Sequence, residues 1–277
     1  MSAKPPANAV AGPKIGSCPV LHDTAGSGHT DRETLKVAAL LYGAASYAVF
    51  LGVFLYAIGF VADVVVPRSV DRANHAPVWQ AMIIDLGLLT VFAVQHSVMA
   101  RPSFKRWWTR FVPATIERST YVLFASSALA LVFWQWRSIG TTVWQVDPTP
   151  ARVAVYALAA IGWFTVLAST FMIDHFELFG VRQVVLAWQS KGNAEKGFRT
   201  VLLYRLVRHP LMLGFLIAFW ATPTMTAGHL LFAVGTTAYI LVALQFEERD
   251  LIGALGEPYR EYRERVPMLL PQPWRSR

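Results

Sequence analysis

Long apolar stretches alternate with short polar ones along this chain, and the apolar stretches are of membrane-crossing length. The first runs from about Leu35 to Val61, and others cover Trp79 to Met99, Ser119 to Trp136 and Val153 to Ile173. A helix rising ~1.5 Å per residue needs about 20 apolar residues to cross a ~30 Å hydrocarbon layer, so each reads as a spanning helix. Two shorter runs follow, Leu211 to about Thr224 and Leu230 to Phe246, divided by a small Thr/Pro/Gly turn. They read as a tight helical hairpin whose members cross only if their ends continue as helix. The pattern predicts an all-α, polytopic integral membrane protein of about six transmembrane helices. Residues 1–33, rich in Pro, Gly, Ala and Ser with no extended apolar run, read as a disordered tail ahead of a single membrane-embedded domain over 34–277.

Composition agrees. Hydrophobic residues make up 55% of the chain and charged ones only 15%, with a mean hydropathy of +0.40. Soluble domains carry roughly a quarter charged residues, so a disordered chain is excluded and an ordinary soluble enzyme disfavoured. The net charge of +8 matters through its placement. With the N-terminus inside, 21 of the 25 Lys and Arg residues fall on the inner side, and only Arg68, Arg72, Arg137 and Arg152 on the outer. That asymmetry predicts cytoplasmic N- and C-termini in the inner (cytoplasmic) membrane, and it accounts for the basic residues without nucleic acid. The single cysteine, Cys18, excludes an internal disulfide framework or a cysteine-clustered metal site.

Charges within spans are expensive unless paired or lining a cavity, so each is a candidate for function. Asp85 lies in the second span, with Gln95 and His96 near its cytoplasmic end; Asp85 and His96 are eleven residues apart and share a face. Asp85 reads equally as a structural hydrogen bond between helices. At the end of the fourth span Asp174, His175 and Glu177 crowd together. Asp174 and Glu177, at i and i+3, repel unless a cation such as Arg182 or a second-span residue lies between them; the plain alternative is a polar helix end. His96, His175, Asp174 and His209 lack paired ligand spacing, and no HExxH occurs, so no metal is assigned. Trp and Tyr at span ends form the ordinary interfacial belt.

The densest chemistry is C-terminal. Tyr204-Arg-Leu-Val-Arg208-His209-Pro210 leads into the hairpin with Gly214 four residues on, and Glu247-Glu248 follow at its cytoplasmic close. Then come Gly256-Glu-Pro-Tyr259-Arg-Glu-Tyr262 and Val266-Pro267. Pro210 suits a helix start, and Gly214 admits a close neighbour. Arg, His, Glu and Tyr therefore converge at the inner mouth of an apolar hairpin, which suits a zwitterionic, cationic or nucleoside-bearing ligand beside an apolar co-substrate.

Arg208-His209-Pro210 with Gly214, then Glu247-Glu248, then Tyr259 and Tyr262 resembles the isoprenylcysteine carboxyl methyltransferase superfamily, which also includes phospholipid methyltransferases. The N-terminal segments His96-Ser-Val-Met-Ala-Arg101-Pro102 and Asp174-His175-Phe-Glu-Leu-Phe-Gly180 resemble, more narrowly, the bacterial methanethiol S-methyltransferases and a related denitrification-associated branch. The resemblance implies an S-adenosylmethionine-dependent enzyme that methylates a small thiol, turning methanethiol into dimethyl sulfide. It implies a cofactor portion over about 200–270. There Arg208 and His209 would meet the cofactor carboxylate, and Glu247 or Glu248 its ammonium or ribose. Tyr204, Tyr259 and Tyr262 would flank the adenine, with Pro210 and Gly214 shaping the site. It leaves His96 and Asp174, supported by His175 and Asp85, for the acceptor's proton. Other readings stay open: methylation of a prenylcysteine carboxylate or a phospholipid, or a non-enzymatic haem or quinone protein.

Overall fold

The computed structural model describes residues 25–72, 74–191 and 200–271. Cys18 and most of the expected tail lie outside them. Helix α1 covers Ala25–Ala62, beginning earlier than the apolar run because no proline occurs between Pro19 and Pro67 to stop it. Its first turns carry a Glu33–Lys36 pair at 2.8 Å. A short strand β1 (Asn74–His75) precedes α2 (Val78–Ala100). Pro102 ends α2 by holding Arg101 extended (φ −68°, ψ 139°), then opens α3 (Pro102–Trp108) from the first helical position. Helix α4 (Glu117–Gln135) is followed by β2 (Arg137–Ser138) and β3 (Thr142–Gln145). Next come α5 (Thr149–Ile173), α6 (His175–Leu178) and α7 (Val181–Trp188), the last two divided by Gly180 at φ 81°.

A 3₁₀ turn at Leu202–Arg205 leads to α8 (Pro210–Trp220), β4 (Thr224–Thr226), α9 (Ala227–Leu255) and α10 (Glu257–Arg265). Two boundaries differ from the sequence pattern. Helix α8 stops at Trp220 because Thr224–Thr226 leave the helix to pair antiparallel with β3. Helix α9 runs past Phe246 to Leu255, so Glu247 and Glu248 sit within it and do not close it. The Glu-Glu-Arg-Asp-Leu segment has no helix breaker, and the turn waits for Gly256 at φ 65°.

Among the described residues four helical stretches are long and apolar enough to cross a membrane: Arg32–Ala62, Val78–Ala100, Thr149–Ile173 and Ala227–Leu255. Their apolar side chains face outward, as with Leu55, Ile83 and Phe164, which a soluble bundle would bury. The protein is thus an all-α, polytopic membrane protein. Helix α4 has 19 residues, and α8 only 11, which is about 16 Å at ~1.5 Å per residue.

The core lies toward the end opposite most of the basic residues. Phe60 packs on Phe133 with ring centroids 4.6 Å apart, and Phe232 meets Phe60, Trp136 and Phe219 edge-on. Helices α5 and α8 cross at glycines: a Cβ on Gly214 would lie 2.8 Å from the Gly162 carbonyl oxygen and 2.8 Å from the Val166 nitrogen. At this end β1 pairs parallel with β2, and Asp63 binds Ser69 and Arg72. The other end, where the chain is basic, ties α2 to α9 through Arg101–Asp250 (3.0 Å) and α1 to α4 through Tyr42–Thr120 (3.1 Å). The candidate residues gather there, with two exceptions.

Candidate functional site

The Arg208–His209 segment is fixed before its side chains act. Its backbone N–H groups donate to the carbonyls of Pro267 (2.9 Å) and Met268 (3.1 Å), pinning the stretch after α10 beneath the start of α8. The Arg208 guanidinium is buried, so its charge must be met locally. Its Nε donates to Glu248 Oε1 at 2.6 Å, and its Nη1 to the carbonyls of Arg263 (2.9 Å) and Val266 (2.5 Å). Those bonds engage three of the five N–H donors of an arginine, and the Nη2 pair makes none among the described residues.

Glu248 is equally enclosed. Oε1 also faces His209 Nε2 at 3.2 Å, and Oε2 faces Arg263 Nε at 3.2 Å. Glu247, about 100° further round the helix, behaves differently. Its side chain is 46% exposed, and its Oε2 lies 3.9 Å from His209 Nδ1. The two adjacent carboxylates therefore divide: Glu248 holds Arg208, and Glu247 faces outward from the same mouth.

Tyr259 and Tyr262 of α10 are both buried, with ring centroids 5.8 Å apart. The Tyr262 hydroxyl donates to the Tyr204 carbonyl at 2.5 Å. Burial pushes the Tyr262 phenol up to about 12, with Arg208 opposing and Glu248 adding to the shift. Burial and then Glu247 push Tyr204 up; burial and then Glu248 do the same to Tyr259. All three remain protonated hydrogen-bond donors at neutral pH. Beside Tyr262 a cleft of about 340 Å³ is lined by Thr200, Arg205, Pro258, Glu261 and Arg265.

His96 belongs to a second group, between α2, α4 and α9. The Tyr121 hydroxyl lies 3.0 Å from its Nε2 and 3.2 Å from its Nδ1, Phe92 stacks on it, and Tyr239 meets it edge-on. Glu247 links this group to the first. It lies within Coulombic range of Tyr121 and Tyr239 on the His96 side and of Tyr204 and Tyr259 on the Arg208 side.

Asp174 and His175 form a third group. Asp174 caps α6 by accepting the Glu177 N–H at 3.0 Å. Arg182 reaches both carboxylates, 2.6 Å from Asp174 and 3.1 Å from Glu177, which is the cation their i,i+3 spacing required. His175 turns away from its neighbour's carboxylate. Its Nε2 bonds the Tyr47 hydroxyl and its Nδ1 the Thr170 hydroxyl, each at 2.8 Å. Burial lowers its pKa, with Asp174 pulling weakly upward.

Two expected site residues stand elsewhere. Asp85 is fully buried and its Oδ1 accepts the Arg137 backbone N–H at 2.9 Å, at the end of the bundle opposite His96. Eleven residues of shared helix face put the two about 16 Å apart, so sharing a face does not put them in one site. Gly214 is filled by the α5 backbone, so its open side serves helix packing and not a ligand. Pro210 is buried at the first position of α8. Among the described residues no group of three or more His, Cys, Asp or Glu side chains is arranged as metal ligands. Tyr47, Tyr121, Tyr239, Thr170 and Arg263 were not singled out by sequence. Hydroxyls on otherwise apolar helices were the available signal, and the abundance of interfacial tyrosines hid it.

Comparisons with known proteins give the family. Residues 85–253 match the family model described as NnrU protein. A methanethiol S-methyltransferase of Mycobacterium tuberculosis is 67% identical over 240 residues, covering 87% of this chain and 98% of that protein. Methanethiol S-methyltransferase 2 of Bradyrhizobium diazoefficiens is 56% identical, covering 86% and 91%. Nurim from Bos taurus is 32% identical, covering 61% of this chain and 68% of its own length. No solved structure matches the chain. The chain belongs to the NnrU family and, within it, groups with the methanethiol S-methyltransferases.

Proposed function

We propose that this protein transfers a methyl group from S-adenosylmethionine to methanethiol, releasing dimethyl sulfide, at a site that opens to the cytoplasm from the inner membrane. The observation that carries the reading is the division between Glu247 and Glu248. Buried Arg208 and Glu248, with half-exposed Arg263 on the other Glu248 oxygen, hold a mouth at which Arg208 Nη2 and the half-exposed Glu247 carboxylate beside His209 would meet a ligand.

That donor and acceptor set fits an amino-acid end, with a guanidinium for its carboxylate and a glutamate for its ammonium or for ribose hydroxyls. When bound, the donor supplies an electrophilic methyl group on a sulfonium. Arg208 and Glu247 orient that end by charge-assisted hydrogen bonds. The phenols of Tyr204, Tyr259 and Tyr262 stay protonated and close the cytoplasmic side. Tyr121, Tyr239 and Phe92 surround His96 with aromatic surface that would keep water from it. Exclusion of water favours a reaction in which opposite charges are consumed. A small apolar thiol reaches the site through the outward-facing apolar surface of the helices.

The relatives named for methanethiol support the acceptor, and the balance of basic residues supports the inward opening. Membranes containing the protein, given S-adenosylmethionine and methanethiol, are expected to release dimethyl sulfide detectable by gas chromatography. Methylation of a prenylcysteine carboxylate or of phospholipid with no dimethyl sulfide overturns the reading. So does a Soret band on the purified protein without methyl transfer.

A further inference from the structure

The hydrogen bonds around His175 determine which way its protons point. The Thr170 hydroxyl donates to the Leu167 carbonyl at 2.7 Å, so toward His175 it can only accept. Nδ1 therefore carries the ring proton and donates it to Thr170. Nε2 is then the bare nitrogen, and the Tyr47 hydroxyl, 2.8 Å away, must donate to it. The chain runs one way, from Tyr47 through His175 and Thr170 to the backbone of α5.

His175 is closed to any ligand. Phe171 stacks on its face at 4.2 Å and 5°, Phe176 and Phe179 meet it edge-on, and both nitrogens are engaged. Only 5% of its surface is exposed. Tyr47 is only half-buried, and its oxygen keeps lone pairs that accept. Of the Tyr47–His175 pair only Tyr47 keeps part of its surface open, beside the exposed ring of Phe176 at 6.2 Å between centroids.

We propose that Tyr47 takes the proton from the acceptor thiol and passes its own to His175. The proposal rests on reading the protein as a thiol methyltransferase. As the S–H bond breaks, its proton goes to the Tyr47 oxygen, and the Tyr47 proton goes to His175 Nε2. The sulfur lone pair forms the new C–S bond to the methyl carbon while the C–S⁺ bond of the donor breaks, leaving a neutral thioether. The imidazolium later returns its proton through Tyr47 to water. Asp174 is the charge that acts on the ring, and it is held by Arg182 and by the Glu177 N–H. Tyr47 would thus be a catalytic residue and His175 a positioning one.

The test is the pH–rate profile of dimethyl sulfide formation at saturating donor. Wild-type membranes should show a rate nearly level around neutrality. Tyr47→Phe should fall about 10²-fold there and regain rate about tenfold per pH unit as free thiolate rises. Its affinity for S-adenosylmethionine should stay unchanged. Parallel profiles for the two proteins overturn the proposal, because a purely structural hydroxyl would not change the slope. If Tyr47→Phe loses donor binding, ortho-fluorotyrosine at position 47 keeps the shape and lowers the phenol pKa; an undisplaced profile then overturns it. An inactive wild type defeats the methyltransferase reading itself, a separate outcome from an active wild type with an indifferent Tyr47.

Discussion

Arg208, just ahead of α8, and Glu248, late in α9, meet at the open end of that hairpin, Nε to Oε1 at 2.6 Å, with both side chains under a tenth exposed. Arg263 takes the other oxygen of Glu248 and lends its carbonyl to Arg208, so α10 is tied into the same group. The preceding residue, Glu247, is outside this arrangement. Removing one partner of a buried pair leaves the other charge unmet, which costs about 3–5 kcal/mol. Glu248→Ala should therefore lower the thermal midpoint in detergent sharply. Glu247→Ala should leave the midpoint in place and weaken S-adenosylmethionine binding by about 1.5–3 kcal/mol in calorimetry. Equal losses of stability in both variants would contradict the division.

Gly214 gives a contrasting expectation. Its missing side chain is space occupied by backbone atoms of Gly162 and Val166, which cannot move aside as a flexible side chain would. Gly214→Ala should cost about 1–3 kcal/mol of stability by overpacking the α5–α8 crossing. Donor affinity of the folded fraction should match wild type, as measured by calorimetry on monodisperse protein. A selective loss of affinity at full stability would return Gly214 to the binding site.

Asp174 acts through its oxygen at the α6 N-terminus and through its charge on Arg182. Asp174→Asn keeps the capping oxygen, and Asp174→Ala removes it at a typical cost of about 1 kcal/mol. Turnover of Asp174→Asn is expected within about tenfold of wild type, because general-base loss costs about 10²–10⁴-fold. A drop in that larger range at normal stability would make Asp174 the base.

Acid should loosen the His175 region. Burial holds the folded pKa of this ring below its ordinary 6.5, so the unfolded chain binds the proton more readily. The stability His175 contributes is therefore complete above the unfolded pKa and is lost as pH falls from there through the folded value. The thermal midpoint should decline as pH falls below about 6.5 in wild type, and less steeply in His175→Asn. Identical slopes would place the acid-sensitive group elsewhere.

Substrate size should be limited by the rings around His175. Phe50 and Phe179 stack with centroids 3.8 Å apart, and Tyr47 lies against Phe50, Phe176 and Phe179. A single methylene changes discrimination by about 1–3 kcal/mol, and a farnesyl chain inserted among rings packed this closely would have to displace them. Methanethiol and short alkanethiols should be methylated, and a farnesylated cysteine should not, in parallel assays of product by chromatography. Comparable rates for both would show an open acceptor channel.

Much of this molecule was determined one-dimensionally. Hydrophobic run length, with 21 of 25 basic residues assigned to one side, specified a polytopic helical protein and the end at which Arg208, His209, Glu247 and Glu248 gather. Those inferences need only hydropathy and the price of charge in lipid, both summed along the chain. Helical periodicity also called for a cation between Asp174 and Glu177, because i,i+3 repulsion demands one; that it is Arg182 and not a second-span residue was decided by the fold. Which helix faces which is a different quantity, decided by side-chain packing between segments far apart in sequence. Hence Asp85 and His96 share a face yet sit at opposite ends, and Gly214 receives a helix backbone and not a ligand. Hence also two adjacent glutamates diverge, one sealed against Arg208 and Arg263 and the other turned to the mouth, because about 100° of helix rotation separates neighbours and only the tertiary structure says what stands on either side.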